Sequence, residues 1–291
     1  LLAVCEREER FYDKRQHRAQ SEIDTLVSTG EASGLDDSRV SLVSDTPASD
    51  VTLAGGRPAA YITGLKQFCG HRFSVTPDTL IPRPSTETLV NAAADILRST
   101  RTRNTTRIMD LGTGSGCILL SLLLALPDVR GIGVDISESA LVVARANCQL
   151  HGLEDRAAML QSSFEVFATD AKILAEGPFN FIACNPPYIS PAKAARMQNT
   201  IGHEPSLALV ADDGGYQAYR AIHASLTADP AVLSPNGYIG FEIGKGMERG
   251  VRRIFDDWTE VGAFKDAQGF LRVVVFQKTQ HTLGSPPLVK L

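Results

Sequence analysis

The tetrapeptide Asn185-Pro186-Pro187-Tyr188 is the part of this sequence best suited to holding a reacting group. Two successive prolines fix φ and remove two N–H donors, which leaves carbonyls without local competition. The Asn185 side-chain oxygen and the Pro186 carbonyl can then accept the two hydrogens of a planar –NH2 group, with Tyr188 stacked on the plane they hold. Such a nitrogen is a poor nucleophile, because its lone pair is delocalised. Fixing it in line with an electrophilic carbon lowers the barrier by orientation. Acceptors that strengthen as positive charge builds on the nitrogen lower it further. A rigid turn capped by an asparagine is the plainer alternative.

A second constellation lies upstream, in Asp110-Leu111-Gly112-Thr113-Gly114-Ser115-Gly116. Its glycines permit a tight strand-to-helix turn and let backbone N–H groups approach a ligand; a tight turn with no ligand is the other possibility. The spacing is GxGxG with an acid two residues ahead, not the GxGxxG of dinucleotide sites, and no Lys-Ser/Thr pair follows to hold phosphate and magnesium. Asp135 ends the next apolar run, where a carboxylate can accept both ribose hydroxyls of an adenosine, or else cap the following helix. Asp110 can anchor the loop or receive a cationic amino-acid group. Phe164 is placed either to cover an adenine face or to pack in the core, since one of Phe164 and Phe167 must turn inward. An adenosine cofactor without a phosphate anchor fits S-adenosylmethionine best, with S-adenosylhomocysteine as product. No metal is called for.

These residues need a sheet to bring them together. Short apolar runs at Arg107–Leu111, Gly131–Asp135, Ala157–Gln161, Asn180–Cys184, Gly237–Ile243 and Phe270–Gln277 alternate with helical patterns at Cys117–Leu126, about Ser139–Leu150, Tyr216–Leu226 and Met247–Trp258. Continuous apolar strands separated by helices predict a mainly parallel α/β sheet covered on both faces. Ahead of it, Tyr61, Ile62, Phe68, Phe73 and Val75 with Gly64 and Gly70 predict a hairpin. Leu89, Val90, Ala93, Ala94, Ile96 and Leu97 predict a helix that Pro84 helps to start. Arg101–Arg107 reads as a basic linker. Pro191–Asp213, mixed in polarity and directly after the tetrapeptide, is expected to wall the substrate site.

In this order, the glycine loop, Asp135 and Asn185-Pro-Pro-Tyr188 resemble class I methyltransferases acting on planar nitrogens. Leu80-Ile-Pro-Arg-Pro84 with Thr86-Glu87 narrows the resemblance to the HemK/PrmC family, which methylates the glutamine amide of the GGQ motif in peptide chain release factors. Arg57-Pro58, Tyr61-Ile62-x-Gly64, Glu204-Pro205, Phe241-Glu242-Ile243-Gly244 and Asp266-x-x-Gly269-x-x-Arg272 agree as well, so the match runs from about Arg57 to Gln277. The resemblance implies a Rossmann-like seven-stranded sheet. It also implies a cofactor site at Asp110, Gly112, Thr113, Gly114, Ser115, Gly116, Asp135, Phe164 and Asn185. The catalytic amide clamp would be Asn185, Pro186 and Tyr188, with Pro187 beside the substrate. Departures occur at Ser85, where the family usually has an acid, and at Ser162-Ser163, where it usually has Ser-Asp. Competing activities are glutamine methylation of a ribosomal protein and adenine amino-methylation of DNA or RNA, for which the same tetrapeptide would serve.

The composition agrees with a folded enzyme. Hydrophobic residues make up 43% of 291, enough for a sizeable core. A formal net charge of −4 argues against a protein living on phosphate contacts, so no stable nucleic-acid binding is expected. The five cysteines contain no CxxC pair, which argues against a disulfide framework or zinc knot. Cys117–Pro127, the longest apolar stretch, is about half a bilayer span, so no membrane association is expected. We divide the chain into an N-terminal remnant of a helical docking region, partly disordered (1–56), a hairpin and linking helix (57–100), the methyltransferase domain (101–280) and a tail (281–291). The chain opens on Leu1, which points to lost upstream sequence and with it any targeting signal. The extension before the catalytic domain resembles the bacterial and organellar branch, implying a mitochondrial protein in a eukaryote and a cytoplasmic one in a bacterium. A monomer is expected.

Overall fold

A computed structural model describes residues 58–100 and 106–278. The expectations for the N-terminal segment, for most of the basic linker and for the tail lie outside those residues. In chain order the described residues begin with α1 (Ala59–Thr63), the hairpin of β1 (Leu65–Phe68) and β2 (His71–Ser74), and α2 (Glu87–Ser99), which a 3-10 turn at Pro84–Thr86 opens. Tyr61 and Ile62 were expected in the hairpin and lie instead in α1. Pro58 sets the extended entry, Gly64 at φ 71° ends the helical turn, and the strand starts one residue later. Tyr61 is held there by its own hydroxyl, which donates to the Thr79 carbonyl at 2.6 Å.

Next come β3 (Thr106–Leu111), α3 (Cys117–Ala125), β4 (Val129–Asp135), α4 (Glu138–Leu150), β5 (Ala157–Gln161), α5 (Ala171–Glu176) and β6 (Phe179–Cys184). Three short helices follow, α6 (Pro191–Arg196), α7 (Gln198–Ile201) and α8 (Ser206–Leu209). The chain then adds α9 (Gln217–Ala228), β7 (Leu233–Glu242), α10 (Glu248–Ile254), β8 (Thr259–Lys265) and β9 (Leu271–Gln277). The large sheet has the order β5-β4-β3-β6-β7-β9-β8, parallel from β5 to β7, with β9 antiparallel between β7 and β8. The seven strands and the helices on both faces are those the resemblance implies.

Neighbouring residues on a strand feed opposite cores, as the pleat requires. Ile108, Phe181, Val273 and Val275 pack with α2, α3 and α4 on one face, whereas Met109, Ile182, Val274 and Phe276 pack with α9 and α10 on the other. Helix α3 is buried along almost its whole length, which is why it reads as uniformly apolar rather than amphipathic. Among the described residues no helix is long and apolar enough to cross a membrane.

The order of the strands fixes where a ligand can bind. The chain moves outward from β3 through β4 to β5 and then returns to place β6 on the other side of β3. The two halves part at the C-terminal ends of β3 and β6, and a crevice opens there in doubly wound sheets. Gly112 follows the end of β3, and Asn185 follows the end of β6.

Candidate active site

A cleft of about 240 Å³ occupies this crevice. Gly112, Gly114, Asp135 and Phe164 line it together with Asn185 and Pro187, and so do Leu80, Leu207 and Val210. Six of the residues expected from sequence therefore meet in one cavity. Asp110, Thr113 and Ser115 are buried behind it.

The glycine loop is shaped by its own hydrogen bonds. The N–H groups of Gly112 and Thr113 donate to the Val134 carbonyl at 2.8 and 2.9 Å, and that of Gly116 donates to the Thr113 carbonyl at 2.9 Å. Gly114 N–H donates to Asp135 Oδ2 at 2.9 Å. These four donors are thus spent inside the protein and cannot cradle a phosphate. Asp110 closes the loop from behind: its Oδ2 accepts from Thr113 Oγ1 at 2.7 Å and from the Leu119 N–H at 3.2 Å. Oδ1 of Asp110 has no hydrogen-bond partner among the described residues. Burial pushes the Asp110 pKa up to about 7, against the pull of those hydrogen bonds. The anchoring role foreseen for Asp110 is therefore the one its contacts serve.

Asp135 reaches the cleft with both oxygens partly engaged, since Oδ1 also accepts from Ser137 N–H at 3.0 Å. It does not cap α4. Ser137 does so, accepting from Ala140 N–H at 3.2 Å. Burial raises the Asp135 pKa, and the backbone N–H groups of Ser137, Gly114 and Ile136 oppose the shift. Of the two phenylalanines, Phe167 is fully buried and Phe164 faces the cleft.

Asn185-Pro-Pro-Tyr188 leaves β6 as an extended segment. Asn185 Nδ2 lies 3.4 Å from Thr86 Oγ1, so the amide donates to the residue just before α2. Its Oδ1 has no protein partner among the described residues. Pro186 is buried, and Pro187 faces the cleft. Tyr188 packs against Gly244, where a β-carbon would come within 3.0 Å of Cδ2. Burial, with the Glu242 charge adding to it, pushes its phenol up to about 12, so it stays protonated.

Part of the segment after the tetrapeptide lines the cleft, at Pro205, Leu207, Ala208, Val210 and Ala211. Ile189, Ile201 and Leu209 pack with Leu80, Met197 and Val210, and Ile189 pairs with Val210 as an isolated bridge. Glu204 ties this segment to the approach to α2, accepting from Ile81 N–H at 3.1 Å and pairing with Arg83. The side chain of Glu204 is 2% exposed and that of Arg83 30%.

Asn147 escaped the sequence reading, which named Thr86 and Glu242 for the family resemblance without giving either a role. Asn147, on α4, is fully buried; it donates to the Ser115 carbonyl at 2.8 Å and to the Ser74 carbonyl at 2.9 Å, joining the glycine loop to β2. Thr86 and Glu242 lie behind the tetrapeptide and are 2% and 1% exposed. The one available signal was an acid at the end of an otherwise apolar strand.

Strand order, crevice and glycine loop together define a class I methyltransferase. The fold resembles that of the human Mettl16 catalytic domain, solved in complex with MAT2A 3′UTR hairpin 6 (TM-score 0.57, 18% identity, 77% of this chain and 81% of that one). Residues 85–208 match the family described as methyltransferase small domain. The chain is 35% identical over 246 residues to a release factor glutamine methyltransferase of Bradyrhizobium diazoefficiens, spanning 81% of this chain and 80% of that protein. It is 36% identical over 226 residues to the enzyme of the same name from Nitratidesulfovibrio vulgaris, spanning 76% and 72%. The chain belongs to the release factor glutamine methyltransferase family.

Proposed function

We propose that this protein transfers a methyl group from S-adenosylmethionine to the side-chain amide nitrogen of the glutamine in the GGQ motif of a peptide chain release factor. The observation that carries the reading is Asn185, which lines the cleft with its Nδ2 taken by Thr86 and its Oδ1 without a partner among the described residues. Family membership supports the substrate.

The cleft suits the cofactor. Its glycine end has no spare N–H at Gly112, Thr113, Gly114 or Gly116 for a phosphate, yet offers an acidic residue and an aromatic ring to an adenosine. Asp135 would accept the ribose hydroxyls, Phe164 would cover the adenine, and the loop from Gly112 to Gly116 would shape the floor, held by Asp110. When bound, S-adenosylmethionine supplies a methyl carbon made electrophilic by a sulfonium. Asn185 Oδ1 and the Pro186 carbonyl accept the two hydrogens of the substrate amide and hold it flat against Tyr188. As positive charge builds on that nitrogen its hydrogens become more acidic, and both acceptors strengthen. Once charged, the nitrogen gives up a proton to solvent water, so no strong base is required. The wall from Pro191 to Val210 would receive the GGQ loop.

The test is transfer of labelled methyl from S-adenosylmethionine to a purified release factor. The GGQ glutamine is replaced in the control, and an adenine-containing oligonucleotide serves as competing acceptor. Labelling that survives the glutamine replacement, or that prefers the oligonucleotide, would overturn the assignment.

A further inference from the structure

We propose that Gly244 is a positioning residue: by presenting no β-carbon, it seats the Tyr188 ring where the ring can lie against the amide plane of the substrate. The inference rests on the function proposed above. Gly244 closes the run Phe241-Glu242-Ile243-Gly244, which the family resemblance includes and to which the proposed mechanism gives no part. It lies two residues past the end of β7, and Tyr188 lies four past the end of β6. These strands are parallel neighbours, so both residues leave the sheet at the same end.

The demand for glycine at this position is one of space. Gly244 does not have a positive φ, so its backbone would accept alanine without strain. A β-carbon there would lie 3.0 Å from Tyr188 Cδ2, 3.4 Å from Tyr188 Cε2 and 2.8 Å from Met247 Sδ. The two neighbours differ in what they can yield. Met247 is unbranched and flexible, so its thioether can swing aside at little cost. Tyr188 has no such freedom. Its chain follows two prolines whose φ is fixed, and a β-carbon on Gly215 would collide with its carbonyl, so its backbone is closely packed as well. The half-buried side chain packs both with the core that contains Ile243 and Met247 and with the cluster of Ile189, Ile201 and Leu209. With its backbone on Gly215 and one side of its ring on Gly244, Tyr188 has a single seat. A planar amide stacked on the ring takes its position, relative to Asn185, from that seat.

The experiment is single-turnover methylation of the release factor with release factor and S-adenosylmethionine both saturating, and cofactor affinity measured alongside by calorimetry. In Gly244→Ala the ring must give way by a few tenths of an ångström. Misplacement by about 1 Å can cost about a hundredfold in rate, so this variant should be slower on the order of tenfold, with cofactor affinity unchanged. Adding Met247→Ala should not restore the rate, since the sulfur is not the neighbour that matters. In a Tyr188→Ala background, Gly244→Ala should cost nothing further, because no ring is left to displace. A Gly244→Ala protein as fast as wild type would overturn the proposal. So would a matching loss of cofactor affinity, full recovery through Met247→Ala, or equal losses from Gly244→Ala with and without the Tyr188 ring. Should Gly244→Ala fail to fold, adding Tyr188→Ala should restore a cooperative melt near that of Tyr188→Ala alone, and a double variant that stays unfolded overturns the proposal. A wild-type protein unable to methylate the release factor would remove the substrate assignment, and this inference with it.

Discussion

The ring of Phe164 lies over Gly112 so closely that a β-carbon on Gly112 would sit 3.3 Å from Cζ. Gly112 also has a φ of 80°, a conformation that L side chains rarely adopt. Both facts bear on the glycine end of the cleft. Gly112→Ala should displace Phe164 and weaken S-adenosylmethionine binding about tenfold or more. Gly114 also has a positive φ, 55°, but nothing lies within 4 Å of its would-be β-carbon. Gly114→Ala should therefore show only the backbone cost, roughly 1 kcal/mol of stability. Calorimetry and melting on the two variants separate the cases. Equal effects on binding would detach Phe164 from the cofactor.

Asp135 has a free lone pair on each oxygen beyond the backbone N–H groups it already serves. Asp135→Ala should remove charge-assisted hydrogen bonds worth roughly 1.5–3 kcal/mol each, hence at least about tenfold in S-adenosylmethionine affinity. The same affinity in wild type and variant would remove Asp135 from the ribose role.

Asp110 should withdraw stability from the free protein as pH rises toward neutrality. The folded Asp110 has a pKa raised from 3.8 to about 7, so between those values the folded state binds more protons than the unfolded one. The stability that protonated Asp110 contributes falls as pH climbs through that window and levels off above it. Asp135 and Glu242 are shifted in the same direction and add to the trend. Asp110→Asn keeps an acceptor for Thr113 or Leu119 and removes the titration. Melting without cofactor between pH 4 and 8 should give a shallower decline for the variant. Parallel curves would contradict the burial of a titrating Asp110.

Tyr188 makes its case through the ring. Its hydroxyl has no hydrogen bond among those of the described residues, whereas the ring packs between the wall and Gly244. Tyr188→Phe should stay close to wild type in methyl transfer, and Tyr188→Ala should lose activity severely. A Tyr188→Phe protein as damaged as Tyr188→Ala would assign the work to the hydroxyl.

Much of this arrangement was legible because its causes are local. The glycine spacing, the acid ending β4 and the paired prolines after β6 each express a constraint within a few residues, and the apolar runs gave six of the seven large-sheet strands. β8 was missed because Thr259–Lys265 is an edge strand, mostly exposed, with no apolar run to betray it. The helices from Pro191 to Leu209 span only 4 to 6 residues each, too short for a helical period to show. α10 ends at Ile254, short of the expected Trp258, because the chain turns where Trp258 N–H donates to the Phe255 carbonyl at 3.0 Å. The contacts behind the site were illegible for another reason. Asn185 and Thr86 are 99 residues apart, and Ser115 and Asn147 are 32 apart. Only the assembled sheet brings them together.

Catalysis in the proposed mechanism turns on Asn185 as an acceptor for a planar nitrogen. The most direct measurement is the single-turnover rate of methyl transfer to a GGQ release factor at saturating S-adenosylmethionine, for wild type and Asn185→Ala. Loss of an acceptor that works mainly in the transition state should cost on the order of 3–4 kcal/mol, or about 10²–10³ in rate, with cofactor affinity preserved. An Asn185→Ala protein that methylates the glutamine as fast as wild type would contradict the amide clamp and leave the tetrapeptide as a rigid turn.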